Sequence, residues 1–338
     1  MTAARLDDSF FSLTPERVLT AVEVGGRRAT GYALALNSLE NRVYEVELED
    51  ETRLVAKFYR PGRWSRESIL AEHAYLRELA DAEVPVVPPM DLGDGTTLRE
   101  SPADGGALLY AVFPKVRGRV PEELFDEQLT QLGRLLARLH TVGASRPEPA
   151  RPVLSPETYG AASIRLLASG PWIPLELQSR FVAVGEAIVA ACNRVWSEVH
   201  PVRLHGDCHL GNLVFGVTKA EPFGAPFFLD FDDFLAGPPV QDLWLLAPGR
   251  DEDALRQRTL VVEGYESMRD FDRRSLRLVE PLRALRILRY AAWIAQRWAD
   301  PAFQRTFPDF TEYSYWQREV QILEEQRAHV ERALERDN

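Results

Sequence analysis

RLHGDCHLGNLVF at 203–215, followed after a loop by FFLDFDDFLAGPPVQDLW at 227–244, is the stretch that decides how the rest of the chain is read. His205-Gly206-Asp207 follows a short apolar approach, and four residues separate Asp207 from Asn212. Leu213-Val214-Phe215 then reads as a strand. A second strand, Phe227-Phe228-Leu229, delivers Asp230 into the next turn. Two strands joined by a polar turn would gather Asp207, Asn212 and Asp230 at one end of a hairpin.

That set of groups suits phosphoryl transfer from ATP. The reaction needs a carboxylate near the acceptor hydroxyl and oxygen ligands for a metal, and little covalent help from protein. Magnesium takes a few hard oxygens and keeps its other positions for water and phosphate. Asn212 and Asp230 supply such oxygens, with Asp230 serving both metal and catalysis, while Asp207 would orient the acceptor and take its proton. The bland alternative is that Asp207 and Asp230 merely cap turns between strands. Asp242, which opens an apolar helix, is expected to brace the segment as a helix cap or backbone acceptor. Asp232 could join Asp230 at the metal.

The Asp207–Asn212 spacing is that of the kinase catalytic loop H-R-D-L-x-x-x-N, with Gly206 in place of the Arg. HGDCHLGN followed by LDFDD resembles the aminoglycoside phosphotransferase and choline kinase branch of the kinase-like fold. The resemblance implies an α+β, two-lobed architecture. A small antiparallel sheet would form a nucleotide-binding lobe over 1–114, and a larger, mostly helical catalytic and substrate lobe would occupy 115–338.

Length and composition agree with a soluble globular protein. At 338 residues, 45% apolar and 27% charged, the chain can bury a sizeable core without staples. A net charge of −11 argues against wrapping a nucleic-acid backbone. Two cysteines, Cys192 and Cys208, make no disulfide framework and fit a reducing compartment. Cys208 would be redox-sensitive if exposed and a small apolar filler if buried. The N-terminal residues carry Asp7 and Asp8 and no long apolar run, unlike a secretory signal. No stretch reaches the roughly 18 apolar residues of a membrane span. A cytoplasmic monomer without a membrane or nucleic-acid partner is expected.

Outward from the core stretch, Thr14-Pro15 opens a short helix that Gly25-Gly26 would end. Residues 31–59 read as strands around the polar turn 37–41. Lys57 stands inside the apolar run Leu54-Val55-Ala56-Lys57-Phe58, where an unpaired ammonium is costly. It resembles the kinase lysine that grips the nucleotide's phosphates and pairs with a Glu on the next helix. That helix should begin near Ser65. Of Glu67, Glu72 and Glu78, the mid-helix Glu72 is favoured as partner. The alternatives are an edge-strand Lys57 and a solvated Glu72. No G-x-G-x-x-G covers the phosphates, so any cradle must use backbone N–H groups and side chains such as Ser38 and Asn41.

Val84-Pro85-Val86-Val87-Pro88-Pro89 reads as a stiff crossing, followed by a hairpin turning at Asp94-Gly95. An apolar strand, 108–114, leads to the expected lobe boundary, where the resemblance implies that backbone groups grip adenine. A leucine stripe from Asp126 to His140 is core-helix patterning. Residues 143–159 read as loop, and a helix spans about Leu175 to His200. Arg283, Arg286 and Arg289, three apart, would either contact substrate or pair on the surface.

The resemblance tightens at LNSLENRVY (36–44), KFYRP (57–61), LHGDCH (204–209) and WADPAF (298–303). Together these are similar to bacterial stress-response Ser/Thr protein kinases built on an aminoglycoside-phosphotransferase-like fold. The resemblance runs from about residue 10 to 330. It implies ATP as co-substrate and a protein Ser/Thr acceptor, the chain itself included. It also implies Asp207 as proton acceptor, Asn212 and Asp230 as magnesium ligands, and Ser38 near ATP. A small-molecule alcohol kinase and a catalytically silent nucleotide-binding scaffold are the competing readings, and the intact Lys57, Asp207, Asn212 and Asp230 argue against the scaffold.

Overall fold

The computed structural model describes residues 10, 13–104, 106–216 and 224–335. Helix α1 (Pro15–Glu23) starts where Thr14 Oγ1 accepts the Arg17 N–H at 3.4 Å, with proline in the first turn. Strands β1 (Ala29–Ala35), β2 (Arg42–Leu48) and β3 (Arg53–Phe58) follow, then helix α2 (Arg66–Asp81), then β4 (Arg99–Ala103) and β5 (Gly106–Pro114). The five strands form one antiparallel sheet in the order β1-β2-β3-β5-β4.

Alternation along β3 and β5 sets what each face carries. Leu54, Ala56 and Phe58, with Leu108, Tyr110 and Val112, pack with Val18 and Val22 of α1. Ala111, with Leu109 and Phe113 beside it, packs instead with Ile69 of α2. Lys57 lies between Ala56 and Phe58, so its side chain takes the face of α2. The register is Val43↔Lys57 on one side and Lys57↔Ala111 on the other. Lys57 therefore stands in the central strand, not at an edge.

Two expectations need correction. The hairpin of this region turns at Asp104, between β4 and β5, and not at Asp94-Gly95. Asp94 does hold a tight turn, in which Leu92 N–H donates to the Thr96 carbonyl at 2.8 Å, but no strands flank it. The stretch 143–159 is not wholly loop, because a wide helical turn occupies Pro156–Ala161. Its start was readable: the Ser155 hydroxyl accepts from Thr158 N–H while Thr158 caps back, and Pro156 sits in the first turn.

The chain continues through β6 (Gly118–Arg119), α3 (Asp126–Gly143), α4 (Ala162–Ser169), α5 (Leu175–Trp196), β7 (Val202–Leu204), β8 (Leu213–Gly216), β9 (Ala225–Phe228) and β10 (Leu235–Gly237). It closes with α6 (Val240–Leu246), α7 (Glu252–Glu266), α8 (Val279–Gln296), α9 (Pro301–Thr306) and α10 (Tyr313–Glu335).

Two compact units emerge, and they do not follow a single cut after residue 114. One comprises the chain up to Gln128 together with Asp207–Phe234, and the other comprises Leu129–Gly206 with the chain from Leu235 onward. The reason is local pairing. The β8–β9 hairpin adds β6 through Arg119↔Phe215, and Phe228 N–H donates to the Pro85 carbonyl at 2.9 Å. A Cβ at Gly118 would collide with the Phe215 carbonyl oxygen, so only glycine allows this approach. The second unit is helical, with a core that includes Phe181, Ile188, Leu285, Leu288 and Trp316.

Candidate active site

All six site residues read from the sequence lie in the first unit: Ser38, Lys57, Glu72, Asp207, Asn212 and Asp230. Asp207 and Asn212 are joined by a short turn. Asn212 N–H donates to the His209 carbonyl, and Asn212 Nδ2 donates to the Asp207 carbonyl, both at 2.9 Å. With Nδ2 committed, the amide Oδ1 is the atom left to face a cation. Leu229 N–H donates to the Asn212 carbonyl at 2.9 Å, which brings the end of the second strand against the first. The next residue, Asp230, has φ +59, a left-handed conformation uncommon outside glycine. Such backbone is found where the surroundings over-determine it, as at functional sites. His209 Nε2 lies 3.4 Å from Asp207 Oδ2.

Lys57 is the second anchor. Its ammonium is 3.1 Å from Asp232, 3.2 Å from Asp230 and 3.5 Å from Glu72. Burial alone would pull the ammonium down, but Asp232, then Glu72 and Asp230, outweigh it and hold Lys57 charged well above its ordinary range. Glu72, buried on α2, is one of three carboxylates around Lys57, so the solvated-helix alternative fails.

Arg63 is a residue the sequence reading missed. It meets Asp232 at 2.5 Å, Asp233 at 2.5 Å and Glu40 at 3.4 Å. Arg60 reaches the same turn, donating to the carbonyls of Glu40 and Leu39 at 2.9 Å. The available signal was two arginines, spaced by three and following Lys57 in KFYRPGR. Asn41 differs from its expected role as a phosphate-facing side chain. It is buried, with Nδ2 donating to Asp232 at 3.2 Å and Oδ1 accepting Arg60 N–H at 3.1 Å. Ser38 Oγ accepts the Asn41 N–H at 3.4 Å and belongs to the same turn.

The donor set fits a nucleotide carrying a divalent metal. Asn212 and Asp230 offer hard oxygens, and the Asp230 side chain is 57% exposed and accessible to a cation. Around Lys57, Arg60 and Arg63 stand Glu40, Glu72, Asp230, Asp232 and Asp233, five carboxylates against three cations. That excess of negative charge favours a divalent ion. Among the described residues no group of three or more His, Cys, Asp or Glu forms a ready-made metal cage.

In the second unit, buried Asp242 accepts the N–H of His205 at 2.8 Å and of Gly206 at 2.9 Å, and His140 Nε2 lies 3.1 Å from it. This is the bracing role expected of it. Cys208 and Cys192 are both buried. Arg283 pairs with Glu280 at 3.5 Å and lies over the Trp244 ring at 4.9 Å, a structural use.

Residues 33–279 match the phosphotransferase enzyme family, abbreviated APH. The chain belongs to that family. It is 37% identical over 319 residues to stress response kinase A of Escherichia coli strain K12, covering 94% of each chain. The same identity and coverage relate it to the serine/threonine protein kinase RdoA of Salmonella typhimurium. Among solved structures, the amicoumacin kinase hAmiN, determined with AMP-PNP and Ca2+, has TM-score 0.70 at 20% identity, covering 90% of this chain and 95% of that one. The protein is a kinase with the fold of this phosphotransferase family. Among the described residues no helix is long and apolar enough to cross a membrane.

Proposed function

We propose that this kinase transfers the γ-phosphate of magnesium ATP to Ser or Thr hydroxyls of protein, its own chain included, in a stress response. The observation that carries the chemistry is the linked run Asp207–Asn212–Leu229–Asp230–Lys57, in which each member touches or adjoins the next. The choice of a protein acceptor is supported by the match to relatives named as stress-response and Ser/Thr kinases along nearly the whole chain.

In this reading Asp207 accepts the proton of the attacking hydroxyl and aims its oxygen. Asn212 Oδ1 and Asp230 hold the metal. Lys57, kept in place by Glu72, grips the phosphates, and Ser38 sits at the turn beside the nucleotide. Magnesium, when bound, neutralises the charge developing on the phosphoryl oxygens. A reducing compartment such as the cytoplasm fits the two free thiols.

The test is incubation of the purified chain with magnesium and γ-labelled ATP, alone and with cell extract, followed by phosphoamino acid analysis. Label on phosphoserine or phosphothreonine supports the reading. Label confined to a small alcohol would reassign the substrate, and no transfer of any kind would defeat it.

A further inference from the structure

Asp232 stands two residues after Asp230, and it is the better buried of the two at 3% exposure. Its oxygens are both engaged. Oδ1 lies 3.1 Å from the Lys57 ammonium, and Oδ2 lies 2.5 Å from Arg63 while accepting Asn41 Nδ2 at 3.2 Å. A metal at Oδ1 would set a second cation against the Lys57 ammonium, and a metal at Oδ2 would displace Arg63, so either mode leaves a buried cation short of its partner.

Asp230 is placed differently. Its side chain is largely exposed, and it shares Lys57 with Asp232 and Glu72. Once Asp230 turns to a metal, Lys57 needs a carboxylate that stays behind. Glu72 is the more distant at 3.5 Å, and Asp232 is the nearer at 3.1 Å. Asp232 also joins three segments at one point. Lys57 comes from β3, Asn41 from the turn 37–41, and Arg63 from the loop before α2, where it also meets Glu40 of that turn. Releasing Asp232 would therefore loosen both the phosphate-gripping lysine and the turn that bears Ser38.

We propose that Asp232, clamped by Arg63, is a positioning residue that fixes Lys57 and the 37–41 turn for the nucleotide, and that it does not ligate the metal. The proposal rests on the kinase reading above. It gives the two acidic residues of the Asp230-Phe231-Asp232 turn different roles, since Asp230 serves the metal and Asp232 serves the nucleotide's lysine.

The experiment compares Asp232→Asn with Asp230→Asn in the full chain. Three readings are taken: ATP affinity by calorimetry in EDTA, the magnesium dependence of turnover, and the acylation rate of Lys57 in nucleotide-free protein by peptide mass. Asp232→Asn should weaken metal-free ATP binding about tenfold, an indirect effect tempered by the Glu72 carboxylate that Lys57 keeps. It should raise the KM for ATP more than it lowers kcat, speed acylation of Lys57, and leave the magnesium half-saturation where it was. Asp230→Asn should do the reverse, losing the magnesium response while keeping metal-free ATP affinity. A magnesium shift in Asp232→Asn like that of Asp230→Asn, or unchanged metal-free ATP affinity, would overturn the proposal. If Asp232→Asn does not fold, Arg63→Gln carries the test, because it frees the same carboxylate without touching Lys57 and should weaken ATP in the same direction. An unaltered Arg63→Gln would likewise sink the idea. A wild-type chain that binds no ATP would instead defeat the kinase reading itself.

Discussion

The Lys57 ammonium donates to Asp230 Oδ1 at 3.2 Å, so the lysine and the proposed metal ligand are paired with each other. In the proposed reading, a bound magnesium nucleotide would take Lys57 to its phosphates and Asp230 to the metal, in place of this contact. The exchange needs charge on both partners. Asp230→Ala is expected to reduce magnesium-dependent ATP turnover by about a thousandfold, since metal stabilisation of the transferring group amounts to several kcal/mol. Steady-state turnover across a magnesium titration checks it, and normal turnover by the variant would remove Asp230 from the metal.

Asp242 predicts a loss of stability. Its carboxylate takes two buried N–H groups, those of His205 and Gly206, on the segment that runs directly into Asp207. Asp242→Ala strands both donors and His140, and each buried donor left unsatisfied costs about 1–3 kcal/mol. Urea titration should show a fall of about 3 kcal/mol or more, with Asp242→Asn falling less because one oxygen remains. A variant as stable as wild type would contradict the bracing role.

His73 predicts a pH dependence. Burial, aided by the positive charges of Lys57 and Arg77, pushes its imidazole from 6.5 down to about 3. The folded protein holds it neutral between the Tyr59 hydroxyl at 2.9 Å and the Thr97 hydroxyl at 2.8 Å. In the unfolded chain His73 takes a proton below its ordinary value. Its contribution is therefore fully present above pH 6.5 and is lost as pH falls toward 3. Melting temperatures measured between about pH 7 and about pH 5 should drop more steeply for wild type than for His73→Gln, which cannot titrate. Parallel curves would show that another group governs the acid limb.

The geometry of the candidate segment was legible because its contacts are local. Asp207 and Asn212 lead into one hairpin and Asp230 follows it, and the turns that aim them need only strand pairing and a few backbone bonds. Lys57 and Glu72 were legible for a different reason: a charged residue inside an apolar strand demands a partner, and one helix follows. Arg63 and the commitment of Asn41 to Asp232 were not legible. An arginine in a polar loop has no periodicity, and its partners at 232 and 233 are distant in sequence and meet it only in the folded chain. The division into units departs from chain order because the Phe228 N–H bond to the Pro85 carbonyl and the Arg119↔Phe215 strand pairing join stretches distant in sequence. The turn at Asp94-Gly95 misled because the same dipeptide chemistry serves hairpins and isolated turns alike.

The most direct measurement is single-turnover phosphoryl transfer by Asp207→Asn with saturating magnesium ATP, read beside its ATP affinity. The account predicts that nucleotide binding survives and that transfer to the hydroxyl acceptor falls at least about a hundredfold, the low end of what a positioned proton acceptor supplies. Transfer at the wild-type rate with binding intact would contradict it.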